Sequence, residues 1–296
     1  MKILYIGVHS HIKWGAEYWL NKAFLDYGIQ TVLFDYRLER EKNSLIELKK
    51  LIDIKSSNCD IIFLQRGDYL TPSLFEDLTI PVIFWSTEPI QLKRDVDLLL
   101  KSNIFSWIYI HSYSCLEKIT TDFPHLLNYC SVLHNASPKE IISINNQKSI
   151  FSIFNRNLSF RRKKWLWPSK KMIKIIKGNY GDAYFNDLRS SLISINIHYS
   201  NKNLDDFESG IFEAMASGCV IVSEKLNYKT LSDLKMHDAI IQINSPKELK
   251  NVLNQLVNNI DLINEFIEKS KIVINNNTWH NRAEKIIEKF YYIKNL

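Results

Sequence analysis

The sequence predicts an α/β protein built from two doubly wound, parallel-sheet domains in tandem. Three observations support this prediction: short unbroken apolar strands alternate with amphipathic helices, a polar and turn-rich segment interrupts the alternation, and the alternation then restarts. Strands that are apolar on both sides are typical of a parallel sheet covered by helices on both faces. A length of 296 residues with 46% hydrophobic content is sufficient for two such cores.

The first domain opens with a β-α-β unit. Residues 2–8 form a short apolar strand, the spacing of Trp19 and Ala23 predicts a helix over 16–27, and Gly28 ends it before a strand at 31–34. The pattern then predicts helices over 45–54 and 72–78 and strands over 60–64, 81–85 and 104–110.

A turn-rich break follows Leu133, and the polar stretch 143–148 is typical of a linker. The second domain is predicted to contain strands over 150–154, 172–176, 192–197, 220–223 and 240–243, and helices over 184–190, 211–217, 246–257, 260–275 and 278–292. The predicted domains are 1–147, 148–277 and a terminal helix within 278–296. Because ligands of open α/β sheets bind at the carboxyl ends of the strands, both domains are expected to face a shared cleft with these loops.

The most informative segment is 205–218, which reads DDFESGIFEAMASG and changes from a loop into a helix. Ser209 and Gly210 place free amides at the helix N-terminus, where the helix dipole favours an anion such as a diphosphate. Glu213 follows within the first turns and would accept hydrogen bonds from a ribose. The alternative interpretation treats Asp205 and Glu213 as ordinary polar residues beside a packed helix face.

The run FEAMASGCVIVS, residues 212–223, resembles the donor-site motif of retaining glycosyltransferases of family 4. The element TWHNRAE at 278–284 resembles the closing element of the CgeB-like, spore-coat group. The resemblance implies a GT-B fold, with two Rossmann-like parallel-sheet domains facing a cleft and a C-terminal helix crossing back. It further implies a retaining transfer from a nucleoside-diphosphate sugar to a glycan, lipid-linked or polysaccharide hydroxyl, with no metal or other cofactor.

The resemblance also implies residue roles. Glu213 would bind the nucleotide ribose, and the amides of Ser209, Gly210 and Ile211 would bind the diphosphate. Asp205 stands where the family has a glutamate that holds the donor sugar, so the identity of the sugar and the stereochemistry stay open. Glu208 completes the donor-binding set.

A basic stretch follows the first strand of the second domain. Within an expected loop at 155–164, Arg156, Arg161 and Lys163 are candidates for offsetting the charge on a departing diphosphate. A solvated basic helix face is the alternative. Trp165 and Trp167 lie in the same stretch, so residues 161–171 are also compatible with peripheral contact with an anionic membrane or, less favoured, with nucleic acid.

Several residues of the first domain are candidates for the acceptor side. Gly7, His9, His11 and Gly15 lie in the loop after the first strand, while Glu88 and His111 follow later strands. Glu88 or a histidine would serve as the base of an inverting route. Structural histidines and a helix-terminal glutamate are the alternatives for these side chains.

Composition narrows the function classes. The sequence has no apolar run long enough to span a membrane and no N-terminal leader, which predicts a cytoplasmic protein with at most peripheral contact with the inner face of the membrane. The four scattered cysteines predict neither a disulfide framework nor a metal site. Two rivals remain: a non-catalytic protein that binds nucleotide sugar or polymer, and a phage-type DNA glycosyltransferase.

Overall fold

The computed structural model describes residues 1–9, 13–87, 97–142, 148–199 and 208–294. The chain forms two compact units, Met1–His134 with His280–Leu296, and Asn135–Trp279. Each unit contains one sheet whose strands are all parallel. Three site predictions, for Asp205, Glu88 and His11, lie outside the described residues and stay predictions.

The first unit has a six-stranded sheet in the order β2-β1-β3-β4-β5-β6. Its strands are β1 Lys2–Gly7, β2 Gln30–Asp35, β3 Ile61–Gln65, β4 Val82–Ser86, β5 Trp107–Ile110 and β6 Cys130–Val132. Its helices are α1 Ala16–Asp26, α2 Tyr36–Lys42, α3 Leu45–Ser56, α4 Asp97–Leu100 and α5 Tyr113–Asp122. Because the chain forms β2 on one side of β1 and then β3 on the other, the strand order reverses between β1 and β3.

The second unit has a five-stranded sheet in the order β11-β10-β9-β7-β8. Its strands are β7 Ile150–Phe154, β8 Lys174–Ile175, β9 Ser191–Asn196, β10 Val220–Glu224 and β11 Ile240–Ile243. Its helices are α6 Phe160–Leu166, α7 Gly181–Arg189, α8 Ser209–Ala216, α9 Tyr228–Asp233, α10 Pro246–Val257 and α11 Ile260–Asn275. Here the strand order reverses between β7 and β9.

The last helix, α12 (Trp279–Lys294), packs on the first sheet. The Phe290 ring lies 6.1 Å from Phe24 and 6.0 Å from Phe63, centroid to centroid. The Tyr109 hydroxyl donates a hydrogen bond to the Lys285 carbonyl at 3.3 Å. A buried aromatic cluster therefore holds the C-terminal helix against the first unit, which also contains the N-terminus.

The units divide at Asn135, ahead of the predicted linker at 143–148. The segment after the break pairs with the end of the second unit: the Ser137 amide donates to the Asn277 carbonyl at 3.0 Å, and the Trp279 amide donates to the Ser137 carbonyl at 2.9 Å. These bonds assign the segment to the second unit.

Three segments have a local structure that differs from the one the sequence predicts. The helix expected over 72–78 is only a 3₁₀ turn, Pro72–Leu74, and the strand expected over 172–176 is reduced to Lys174–Ile175. The loop expected over 155–164 becomes a helix at Phe160, because the Ser159 side chain accepts a hydrogen bond from the Arg162 amide and caps α6. The sequence patterns also missed α2, α4, α5 and β6.

No helix within the described residues combines the length and the hydropathy needed to cross a bilayer. The cysteines are free thiols; Cys59, Cys115 and Cys219 are buried, and Cys130 is half-buried.

Candidate functional site

The point of strand reversal in the second sheet is occupied by an arginine–carboxylate cluster. Arg156 follows β7, and its guanidinium pairs with the Glu208 carboxylate, which directly precedes α8. Arg162 of α6 adds a second contact, 3.2 Å from its Nη2 to Glu208 Oε1. Since this edge is where open α/β sheets bind ligands, the cluster is the leading candidate for a site.

Arg162 was not among the sequence candidates, yet it is the most firmly held of these arginines. It is buried; its Nε donates to the Ile197 carbonyl at 2.7 Å and its Nη1 to the Asn157 carbonyl at 2.9 Å. A helix capped by Ser159 places Arg162 and Leu166, four residues apart, on one buried face. The signal was therefore present in the sequence as a helix cap.

Glu213 lies on α8 and is buried. Its Oε2 accepts a hydrogen bond from the Tyr184 hydroxyl of α7 at 3.0 Å. Burial raises the pKa of Glu213 to about 7, although the Tyr184 bond and the charge of Arg156 both act to lower it. Glu213 is thus a carboxyl group that titrates near neutral pH.

The pKa of Glu208 is shifted in the opposite direction from that of Glu213. Burial alone would raise the pKa of Glu208, but Arg156 and Arg162 outweigh that effect and lower it. Glu208, just before α8, is therefore ionised, while Glu213 within α8 is close to its midpoint at neutral pH.

The N-terminus of α8 lies against the Arg156 guanidinium. A Cβ added to Gly210 would lie 2.5 Å from Arg156 Nη2 and 2.8 Å from its Cζ, so only glycine permits this approach. The amides of Ser209 and Gly210 belong to the first turn, where helices provide no internal acceptor. The Ile211 amide instead donates to the Glu208 carbonyl at 3.0 Å, which corrects the expectation that it is free for a diphosphate.

The other two basic candidates lie elsewhere. Arg161 pairs with Glu224 at the end of β10 and donates to the His198 carbonyl at 2.8 Å, so it ties the ends of β9 and β10 together. Lys163 is exposed, and within the described part of the chain its ammonium group forms no ion pair. Of the three basic residues, only Arg156 joins Glu208.

Two buried donors at the end of β7 lack partners among the described residues. They are Asn155 Nδ2 and Arg156 Nε. Buried polar atoms are nearly always hydrogen-bonded, so unpaired donors at a sheet's carboxyl edge indicate room for an acceptor-rich ligand.

The first unit has its own cluster where β1 and β3 diverge. Arg66 follows β3, and its Nε lies 3.4 Å from Oε1 of the buried Glu17 in the first turn of α1. Arg66 has a left-handed backbone with φ 77°, a conformation that is costly for a non-glycine residue and concentrates at functional sites. Sequence reasoning missed both residues because nothing in the local pattern links positions 17 and 66.

The structure places three predicted acceptor-side residues beside this cluster. Gly15 has φ 84° and starts α1, and a Cβ on Gly7 would lie 3.3 Å from Glu17 Cγ. His9 Nε2 lies 3.0 Å from the Tyr5 carbonyl oxygen, and burial lowers the pKa of His9, which keeps the ring neutral at pH 7. The two glycines therefore bring the backbone within contact distance of the Glu17 side chain.

His111 is not part of either cluster. It is buried after β5, with Nε2 3.9 Å from Cys115 Sγ, and its carbonyl lies 3.1 Å from His134 Nδ1. Strand β4 separates β5 from β3, so the structure does not bring His111 together with His9 or Gly7.

Comparison with known proteins agrees with this architecture. A family model described as "Glycosyl transferase-like" matches residues 152–288, which include the whole cluster of the second unit. No curated protein sequence matches the chain at a significant level.

Solved structures resemble the chain over almost its full length. A sucrose-phosphate synthase from Thermosynechococcus elongatus is 9% identical with a TM-score of 0.69, covering 99% of this chain and 98% of that one. Anabaena HepE in complex with UDP-glucose is 13% identical with a TM-score of 0.67, covering 99% and 100%. An α-glucosyltransferase in complex with UDP-glucose and DNA containing an abasic site is 14% identical, TM-score 0.67, covering 99% of both chains. The fold is GT-B, as the sequence predicted.

Proposed function

We propose that the protein is a glycosyltransferase that moves a sugar from a nucleoside diphosphate to a hydroxyl acceptor. One observation carries this proposal: helix α8, inside the segment that matches the family model, combines a buried carboxyl group with an N-terminus contacted by Arg156. A nucleotide sugar needs both features, because its ribose offers hydroxyl groups and its diphosphate carries negative charge.

The charges of the cluster suit an anionic donor. Arg156 and Arg162 both contact the ionised Glu208, and Glu213 is near its midpoint at neutral pH, so positive charge is in excess. The diphosphate would bind Arg156, Arg162 and the free amides at the start of α8, sharing the arginines with Glu208. The unpaired donors at the end of β7 would then find acceptors.

The proposed reaction needs stabilisation of a leaving group. The bond from the donor sugar's anomeric carbon to the diphosphate oxygen breaks, and the electron pair leaves with the nucleoside diphosphate. The acceptor oxygen bonds to the anomeric carbon, and its proton passes to an oxygen of the departing diphosphate. Guanidinium groups beside the diphosphate offset the developing charge, which makes a metal-independent reaction feasible. We propose the retaining route, which the family resemblance favours over a base-assisted inverting route.

The acceptor is proposed to be a hydroxyl of a glycan, a lipid-linked sugar or a polysaccharide, bound at the β1–β3 reversal of the first unit. A second candidate is DNA, favoured by the similarity to an α-glucosyltransferase whose structure contains DNA. Both keep the same donor chemistry and differ only in the acceptor.

Calorimetric titration with UDP-, GDP-, ADP- and CMP-sugars tests the donor proposal, starting with UDP-glucose. The wild-type protein should bind one donor class, and Glu213→Ala should weaken that binding about tenfold while the fold is kept, since hydrogen bonds to a ribose are lost. Glu265→Ala, on the exposed side of α11, is the matched control and should bind normally.

Nucleotide release separates an enzyme from a binding protein. Release of nucleoside diphosphate that rises when acceptor is added supports transfer, and the anomeric configuration of the product identifies the route. Binding without release would contradict the enzyme proposal, and equal affinity of Glu213→Ala and wild type would contradict the assigned site.

A further inference from the structure

Away from the candidate site, one surface of the second unit combines exposed aromatic rings with lysines. Phe160, Lys163, Lys164 and Trp167 follow one another at the spacing i, i+3, i+4 and i+7, so they share one side of α6 and its C-terminal end. The opposite side of the same helix, with Arg162 and Leu166, is buried. We call the outward side, together with the lysines that follow it, the basic–aromatic surface.

The aromatic residues of this surface are unusually accessible. Phe160 is 85% exposed and Trp167 is 67% exposed. Large aromatic side chains are mostly buried in folded proteins, and exposed ones grouped on one face indicate an interaction site. The Lys170 ammonium lies 3.8 Å from the centre of the Trp167 ring, so charge and ring are presented together.

The surrounding sequence is strongly one-sided in charge. Between Glu140 and Asp182 the chain has ten Lys and Arg residues and no Asp or Glu. The arginines turn inward and pair with Glu208 and Glu224. Six lysines stay exposed, and none of them forms an ion pair with any residue that the structure describes: Lys163, Lys164, Lys170, Lys171, Lys174 and Lys177.

We propose that the basic–aromatic surface binds the protein peripherally to an anionic phospholipid bilayer. Phenylalanine and tryptophan rings insert at the boundary between headgroups and acyl chains, while lysines extend their ammonium groups towards lipid phosphates. Each lysine near an anionic surface contributes about 1 kcal/mol of attraction. This inference does not rest on the proposed donor site, because vesicle binding requires neither nucleotide sugar nor turnover.

The same charge would also attract nucleic acid, but the details favour lipid. Nucleic-acid surfaces rely on arginine forks and on open ring faces that stack with bases. Here the arginines are engaged inside the unit, and a lysine ammonium covers one face of Trp167. Phe160 is exposed one helical turn before Lys163 and Lys164, an arrangement suited to insertion between lipid headgroups.

Co-sedimentation of the full chain with vesicles tests the proposal. Phosphatidylcholine vesicles that contain phosphatidylserine should sediment the protein, whereas pure phosphatidylcholine vesicles should not. Lys164→Gln combined with Lys171→Gln should lower partitioning about tenfold or more, because two attractive charges are lost. Phe160→Ser combined with Trp167→Ser should lower it about tenfold, because the inserted rings are lost.

Matched controls come from the same unit. Lys247→Gln with Lys250→Gln removes two exposed lysines of α10, and Ile272→Ser removes an exposed apolar side chain of α11; both variants should partition like wild type. Unchanged thermal unfolding of each variant confirms that the fold is kept. Absence of sedimentation with anionic vesicles, equal sedimentation with neutral ones, control variants as weak as the surface variants, or binding only to duplex DNA would each overturn the proposal.

Discussion

The two sheets reverse their strand order in the same way, yet the charges at the two reversals are arranged oppositely. At β7–β9 the arginine is buried and the carboxylate is outermost, with side-chain exposures of 9% for Arg156 and 34% for Glu208. At β1–β3 the carboxylate is buried and the arginine is outermost, 6% for Glu17 and 26% for Arg66. The two reversals therefore share a topology, but the buried member of the ion pair is positive at one and negative at the other.

The charged side chains around the two reversals also differ in their net charge. Near the first reversal, Arg37 and Arg66 stand against Glu17, Asp35 and Asp68, so two positive charges meet three negative ones. At the second reversal Arg156 and Arg162 stand against the ionised Glu208 and a half-ionised Glu213, so positive charge is in excess. The charge balance therefore favours a diphosphate at the second reversal over the first.

The largest expected effect separates the two arginines. Arg156→Ala should weaken UDP binding more than a hundredfold, about 3 kcal/mol, because the buried guanidinium proposed to bind the diphosphate is lost. Arg66→Ala, its counterpart in the first unit, should leave UDP affinity unchanged. Calorimetric titration measures both. If both variants lost UDP affinity equally, the nucleotide would not bind specifically at the second reversal.

The second effect concerns the buried carboxyl group of α8. The pKa of Glu213 is raised to about 7, so the folded protein holds this proton after the unfolded chain has released it. The stabilisation is complete below the unfolded pKa near 4.5 and is lost as pH rises through 7, a decrease of about 3 kcal/mol in the free energy of unfolding.

Glu213→Gln should remove this slope, because its amide does not titrate. Urea unfolding of wild type and variant from roughly pH 5 to 8 measures the difference. If the free energy of unfolding depends on pH equally in the two proteins, Glu213 has an ordinary carboxyl pKa and burial does not raise it.

The smallest effect tests the outer carboxylate. Glu208→Gln removes a negative charge that competes with the diphosphate for Arg156 and Arg162, so UDP affinity should rise about fivefold, close to 1 kcal/mol. Glu17→Gln in the first unit should not change UDP affinity. A weaker complex with Glu208→Gln would assign Glu208 to binding the donor directly rather than to balancing the arginines.

Much of the fold could be predicted from the sequence, and less of the site. The bounds of β11, α10 and α11 were predicted to the residue, because periodicity and caps such as Ser245 are local signals. Arg162 was missed because residues 155–164 were expected to form a loop; recognising Ser159 as a helix cap would have placed Arg162 on the buried face of α6 and Lys163 on the exposed one. Tyr184, Glu17 and Arg66 gave no signal, because their partners are distant along the chain.

The sequence by itself determined the two parallel α/β units and the loop-to-helix segment with Gly210 and Glu213, because apolar periodicity and turn residues act over a few positions. Tertiary structure alone decided which basic residues turn inward and which stay in solvent. It also set the pKa of Glu213, which depends on burial and on Arg156, 57 positions earlier in the chain. Such properties arise from packing between distant segments, and no local pattern encodes them.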